Sequence, residues 1–167
     1  MLNEKVSKLL NEQINKEMFS AYLYLDIANF YANKGLTGFQ NWYNIQAKEE
    51  MDHALLFIQY LQNNDFAVTL EKIDKPTIVY ENYLQPLREA YNHELFVTDS
   101  INTIFTAATS VNDYRTQQFL QWFVKEQGEE EKNSLELISK YEWAQNNLYL
   151  LDQELALRVY TAPSLVL

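Results

Sequence analysis

The most constraining feature of the sequence is a helical pattern whose inward face is apolar except at its centre. Across residues 37–65, one face recurs at alternating spacings of four and three, typical of a bundle helix: Phe39, Tyr43, Gln46, Glu50, His53, Phe57 and Tyr60. Glu50 and His53 are three residues apart and therefore point into the core together. Because a buried unpaired carboxylate is costly, the pattern indicates a compensating partner, and a metal ion is the leading candidate.

Three further segments predict long helices with the same kind of inward face. One covers residues 3–33, one begins within a turn of Pro86, and one runs from about residue 114 to about residue 144. Each is apolar on that face apart from a polar interruption near the middle: Glu17 in the first, Glu94 in the second, and Gln127 with Glu130 in the third. Stability alone would favour leucine at such positions, so four interruptions at a common level indicate a function.

The segment between the second and third long helices, residues 66–83, lacks a helical period and is predicted to be extended. About 16 extended residues reach ~50 Å, and a ~28-residue helix measures ~42 Å. The segment can therefore return along the second helix, so that the second and third helices lie parallel. The sequence thus predicts an all-α four-helix bundle with one long crossover.

The end of the chain predicts a short fifth helix. It should reach about Tyr160 and stop before Pro163, with one apolar side: Leu148, Leu151, Leu155 and Val159. With 167 residues and only three glycines and three prolines, the chain suits one helical domain. We expect this domain to span residues 1–160, followed by a C-terminal extension over residues 161–167.

Charge and cysteine content narrow the possible partners. The formal net charge of −10 disfavours nucleic acid and makes the surface attractive to cations. The absence of cysteine excludes disulfides, thiolate metal sites and iron–sulfur ligands. No signal-peptide pattern opens the sequence and no run is long enough to span a membrane, so we expect a cytoplasmic protein.

The polar interruptions should meet, because the midpoints of similar-length helices in a bundle lie at one level. The predicted cluster consists of Glu17, Glu50, His53, Glu94, Gln127 and Glu130. Carboxylates and one imidazole suit two hard or borderline cations, with a bridging glutamate. Iron is the natural choice, although zinc would also bind such ligands.

The motifs that carry these residues resemble those of bacterial non-haem ferritins over essentially the whole chain. They are Glu49-Glu50-Met51-Asp52-His53 and the run from Trp122 to Lys132, together with Glu17, Tyr24 and Glu94. The resemblance implies a ferritin-like fold and a homo-oligomeric cage of 24 subunits. It also implies ferroxidase activity with dioxygen or hydrogen peroxide, and storage of ferric mineral for iron storage and detoxification.

The resemblance further implies a role for each site residue. Glu17, Glu50 and His53 would bind the first iron, and Glu50, Glu94 and Glu130 the second. Gln127 would lie beside the second iron, placed to bond oxygen species, and Tyr24 would hydrogen-bond to the centre and supply an electron. A third iron site towards the inner surface would comprise Glu49, Glu126, Glu129 and Glu130.

Two features of the sequence bear on haem and on a neighbouring histidine. Bacterioferritins carry a second Glu-x-x-His motif on the fourth long helix, but here that place reads Gln127-Gly128-Glu129-Glu130, so the symmetric di-iron site of that subfamily is not expected. Met51 occupies the position of the haem-binding methionine of bacterioferritins, but non-haem bacterial ferritins often carry methionine there as well, so it is interpreted as a packing residue and no haem is expected. His93 precedes Glu94 and points off the inward face, which predicts a surface or interface position.

Two other hypotheses fit the same helices. One is a di-iron peroxidase of the rubrerythrin type, which the absence of cysteine disfavours because that class normally adds a cysteine-ligated iron module. The other is a non-enzymatic helical scaffold whose polar layer fixes the register of the bundle.

Overall fold

Five helices form the regular secondary structure of residues 2–167, the part of the chain that the computed structural model describes. They are α1 (Glu4–Ala32), α2 (Thr37–Asn63), α3 (Leu84–Ser110), α4 (Tyr114–Ala144) and α5 (Leu148–Leu155). These described residues contain no strand, so the all-α prediction is confirmed. No helix in this range combines the length and apolar character needed to cross a membrane.

Local sequence signals set most helix ends. The side chain of Asn3 accepts hydrogen bonds from the first free N–H groups of α1, and Asp113 does the same for α4. Gly35, with φ +74°, follows α1 in the left-handed conformation that glycine adopts readily. At the start of α2, Leu36 offers no side-chain cap.

Side-chain hydrogen bonds between helices give the directions in the bundle. Lys16 and Ser20 of α1 contact Ser100 and His93 of α3 respectively, so the residue numbers run in opposite directions and α1 and α3 are antiparallel. The α1–α2 connection is a short turn, which makes that pair antiparallel too. The second and third helices are therefore parallel, as predicted.

The long connection between α2 and α3, residues 64–83, contains no helix or strand and lies along α1. Asn11 exchanges two hydrogen bonds with the backbone of Thr69, both 2.9 Å, and Asn15 donates to the carbonyl of Lys72 at 3.3 Å. Its two ends pack against opposite ends of the bundle, Phe66 against one apolar cluster and Tyr80 against the other. The extended crossover is thereby confirmed.

The core consists of two apolar clusters with the polar residues between them. All four long helices contribute to each cluster, the first including Ile14, Ala54, Val97 and Phe123, and the second including Tyr24, Ala47, Ala90 and Leu137. Along each helix, the predicted polar interruption falls between its contributions to the two clusters. The fold therefore brings these residues to one level of the bundle.

The end of the fifth helix differs from the prediction. It stops at Leu155 instead of near Tyr160, and Val159 is exposed instead of packed. The reason lies in α2, where the amide of Asn41 donates to the carbonyls of Leu155, Ala156 and Arg158. These bonds satisfy carbonyls at the helix end and hold the following residues against α2.

Candidate metal centre

Six predicted residues form a dry polar layer between the two apolar clusters. None exposes more than 4% of its surface: Glu17, Glu50, His53, Glu94, Gln127 and Glu130. Each comes from a helix face that is otherwise apolar, so helix packing carries four carboxylates into the core. Such a layer is stable only when its charges find partners.

In the first half of the layer, three side chains bring ligand atoms together, and each of them has an atom without a hydrogen-bond partner. Glu17, Glu50 and His53 each offer one ligand atom, and these atoms lie within 4.8 Å of one another. The atoms left without a hydrogen bond are Glu17 Oε2, Glu50 Oε1 and His53 Nδ1. Buried polar atoms are normally satisfied, so a converging unsatisfied trio fits a cation.

The remaining contacts of this trio orient the free atoms. Glu17 Oε1 accepts a hydrogen bond of 2.8 Å from Gln13, which leaves Oε2 free. His53 Nδ1 lies 3.5 Å from Glu50 Oε2, too poorly aligned for a hydrogen bond. Two anionic oxygens and an imidazole nitrogen are suitable ligands for iron or zinc.

The second half of the layer is held by hydrogen bonds within the protein. Glu94 accepts from the hydroxyl of Tyr24 at Oε1 and from Gln127 Nε2 at Oε2, the latter at 3.0 Å. Glu130 Oε2 accepts from Gln46 Nε2 at 2.8 Å. These two carboxylates are therefore positioned by amide and hydroxyl donors, and not by direct contact with the trio.

The electrostatics of the layer favour protonated acids when no cation is bound. Burial, together with the negative charge of Glu130, raises the pKa of Glu94 to about 8 against the opposing hydrogen bonds from Tyr24 and Gln127. Burial also raises the pKa of Glu50 well above its ordinary value, with further repulsion from Glu94 and Glu17. A bound cation would reverse this preference by stabilising the ionised carboxylates.

The other predicted acids lie outside the dry layer. Glu49 is half-buried and pairs with Arg158, while Glu129 is exposed and pairs with Lys125 at 3.3 Å. Glu126 is partly buried, and burial raises its pKa. Within residues 2–167, the only group of three such side chains that brings ligand atoms together is Glu17, Glu50 and His53.

Two neighbouring residues occupy positions that the sequence patterns did not anticipate. Met51 is 40% exposed in the subunit, so it lies outside the core. A surface or interface position was predicted for His93, but it is buried between α1 and α3, where its Nε2 lies 2.7 Å from Ser20 Oγ, so the surface alternative is wrong. The face of α3 that contacts α1 is wider than a single seam, which explains the error.

Sequence reasoning placed Gln46 on the inward face but missed Gln13, and it did not foresee that both glutamines hold the carboxylates. Gln13 is fully buried between Glu17 and Ser100, and Gln46 holds Glu130. Each glutamine precedes a trio residue by four positions, Gln13 before Glu17 and Gln46 before Glu50, so it lies on the same helix face. That spacing was the available signal.

A bundle of four long helices, with one long crossover and a carboxylate–histidine layer in its core, defines a class of metal-binding helical proteins. A sequence profile of the ferritin-like domain matches residues 7–143. The chain belongs to the ferritin family, and the resemblance on which that expectation rested is confirmed.

Individual relatives agree over nearly the full length. A bacterial non-heme ferritin of Campylobacter jejuni is 40% identical over 159 residues, covering 92% of this chain and 93% of that protein. A bacterial non-heme ferritin of Bacteroides fragilis is 31% identical, covering 95% and 100%. The open pore ferritin of Archaeoglobus fulgidus superposes with a TM-score of 0.92 at 36% identity, covering 95% of this chain and 98% of that one.

Proposed function

We propose that this protein oxidises ferrous iron at the buried layer and stores the ferric product as mineral inside a shell of 24 subunits. Iron is both the substrate and the cargo. Membership of the ferritin family and relatives named as non-heme ferritins support iron storage. The observation that carries the proposal is that Glu17, Glu50 and His53 bring ligand atoms within 4.8 Å of one another in the buried core, and that each of these side chains has an atom without a hydrogen-bond partner.

The first ferrous ion binds the trio in this proposal. Glu17 Oε2, Glu50 Oε1 and His53 Nδ1 already lack competing donors, so binding breaks no hydrogen bond. Burial, with repulsion from Glu94 and Glu17, raises the pKa of Glu50, and the positive charge of the ion opposes that shift. If Glu50 is protonated in the metal-free protein, it releases its proton when the ion binds. Hard anionic oxygens stabilise ferric over ferrous iron, which favours oxidation.

The second ferrous ion binds between Glu50, Glu94 and Glu130. Gln127 and Tyr24 fix the two oxygens of Glu94, and Gln46 fixes Glu130. Two ferrous ions supply two electrons, which with two protons reduce either one dioxygen to hydrogen peroxide or one hydrogen peroxide to two waters. The further role of Tyr24 as an electron donor stays a prediction. The proposal requires only these two irons, and the third site that the resemblance implies, at Glu49, Glu126, Glu129 and Glu130, is not part of it.

Aerobic ferrous titration of the purified protein tests this proposal, with ferric absorbance and particle mass followed together. We expect Glu50→Ala to lower the initial oxidation rate at least tenfold while leaving assembly intact. Glu12→Ala is the matched control because it removes an exposed glutamate from α1 and should leave the rate unchanged. An unchanged rate in Glu50→Ala would exclude this site.

Native mass distinguishes the alternatives. A particle of 24 subunits that retains thousands of irons supports the storage function. A dimer that turns over hydrogen peroxide without accumulating mineral would favour the rubrerythrin-type peroxidase. A protein that binds no iron would favour the scaffold.

A further inference from the structure

The last twelve residues, 156–167, which we call the tail, lie against the bundle. At the start of the tail, Asn41 of α2 donates to backbone carbonyls. Further along the chain, the hydroxyl of Tyr160 donates to Asp52, also of α2. The indole of Trp122 on α4 then donates to Ser164 Oγ at 3.1 Å. The tail therefore follows α2 in the direction of increasing residue number and reaches α4.

Arg158 is the most firmly held residue of this tail. Its Nη2 donates to Glu49 Oε2 at 2.6 Å and its Nη1 donates to the carbonyl of Trp42 at 3.3 Å. The guanidinium carbon also lies 4.1 Å from the centre of the Trp42 ring, within reach of a cation–π interaction. The side chains of Arg158 and Glu49 are only 17% and 18% exposed, so water screens this pair weakly.

The guanidinium of Arg158 lies against Glu49 at the edge of the metal layer, with Nη2 2.6 Å from Glu49 Oε2. Glu49 thus has a cation within the chain, while the trio of Glu17, Glu50 and His53 has none.

These are the acids that resemblance to other ferritins assigns to a third iron, and their arrangement here does not fit one. Glu49 is held by Arg158 and Glu129 by Lys125. Among residues 2–167, no ligand group is assembled from Glu49, Glu126, Glu129 and Glu130, in contrast to the converging trio. A metal ion would have to displace the guanidinium before Glu49 could become a ligand.

We propose that the guanidinium of Arg158 takes the place of a third metal cation at Glu49, so that each subunit binds two irons and not three. This inference rests on the proposed function, because it presupposes that the dry layer binds the first two irons. Arg158 then determines the stoichiometry of the centre, and its release from Glu49 is required before a third ion binds.

Anaerobic titration of full-length protein with ferrous iron, followed by calorimetry, counts the bound ions directly. We expect two per subunit for the wild-type protein and three for Arg158→Gln, which keeps the length of the side chain and removes its charge. Arg158→Lys should remain at two because it retains the charge. Tyr160→Phe is the matched control for tail anchoring, since it removes the bond to Asp52 and leaves Arg158 in place.

Glu49→Gln makes the test independent of how well Arg158→Gln folds. In the wild-type background this variant should still bind two irons, because Glu49 is not a ligand there. A wild-type count of three, or a drop to one in Glu49→Gln, would overturn the inference and leave the proposed function intact. So would a count of two in a folded Arg158→Gln. A wild-type count of zero would instead overturn the proposed function.

Discussion

The carboxylate of Asp152 on α5 caps the start of α2 by accepting a hydrogen bond of 2.8 Å from the backbone N–H of Gly38. The same oxygen accepts from the N–H of Phe39 at 3.1 Å, and the carboxylate is buried. Since Leu36 offers no side-chain cap, a residue 114 positions away in the sequence from Gly38 provides it. The cap therefore couples the docking of α5 to the start of α2.

Replacing Asp152 with alanine should destabilise the protein. Loss of an N-cap acceptor typically costs about 1–2 kcal/mol, and here two buried N–H groups lose their partner. Urea unfolding of the metal-free protein gives the free energy of unfolding. Asp152→Asn keeps an acceptor oxygen and should lose less, whereas equal losses in both variants would contradict a capping role.

Glycine at position 38 should be required because the backbone of α5 passes directly above it. A Cβ added there would lie 1.7 Å from the carbonyl oxygen of Asp152, so Gly38→Ala has to move α5. Gly128 is the matched control, as a Cβ there meets nothing within 4 Å. We expect Gly38→Ala to lower the free energy of unfolding by about 2 kcal/mol or more, and Gly128→Ala to raise it by about 0.5–1 kcal/mol. Similar effects at both sites would contradict the close approach.

The stability of the metal-free protein should fall as pH rises from 5 to 8. The pKa of Glu94 is about 8 in the fold against 4.5 as its ordinary value, so between these values the folded state keeps a proton that the unfolded chain has lost. The free energy of unfolding then decreases through this window, by a few kcal/mol at most. Urea unfolding at several pH values measures the slope.

Two comparisons check the origin of this pH dependence. Glu94→Gln removes the titrating group and should flatten the slope. Saturating zinc should remove or reverse it, because a cation stabilises the ionised carboxylates. A metal-free protein whose stability rises with pH over the same range would contradict the prediction.

Gln13 should strengthen binding of the first iron by orienting Glu17. Its Nε2 donates to Glu17 at 2.8 Å, and its own oxygen accepts from Ser100 at 2.6 Å, which fixes the amide. Gln13→Leu should weaken the first ferrous binding step about tenfold, as measured by anaerobic titration. Ser100→Ala leaves the donor to Glu17 in place and should have a smaller effect. A reversed order of these effects would contradict the assignment.

The sequence predicted the bundle well because its information was periodic. Inward faces recur every three or four residues, so Glu17, Glu50 and His53 could be assigned to the core without coordinates. The parallel direction of α2 and α3 followed from chain length alone. Contacts that depend on a second element were not predictable in this way, because no period marks them.

The tail and the position of His93 illustrate that difference. Nothing around Arg158 in the sequence indicates a partner at Glu49, and the early end of α5 depends on Asn41 in another helix. His93 was misplaced because the pattern was read as one narrow face, although α3 also packs against α1 through Ser20. The periodicity of a sequence shows which residues of a helix face inward. It does not show which residue of another helix each of them binds, because that depends on how the helices are placed.

The division of the core into two apolar clusters separates the packing of the helices from the contents of the polar layer. All four long helices contribute apolar side chains to both clusters, one on each side of the polar layer. The helices are therefore packed together by contacts that do not involve the layer. If the layer binds and oxidises iron as proposed, the ends of the bundle should keep the same packing in the metal-free and the metal-loaded protein.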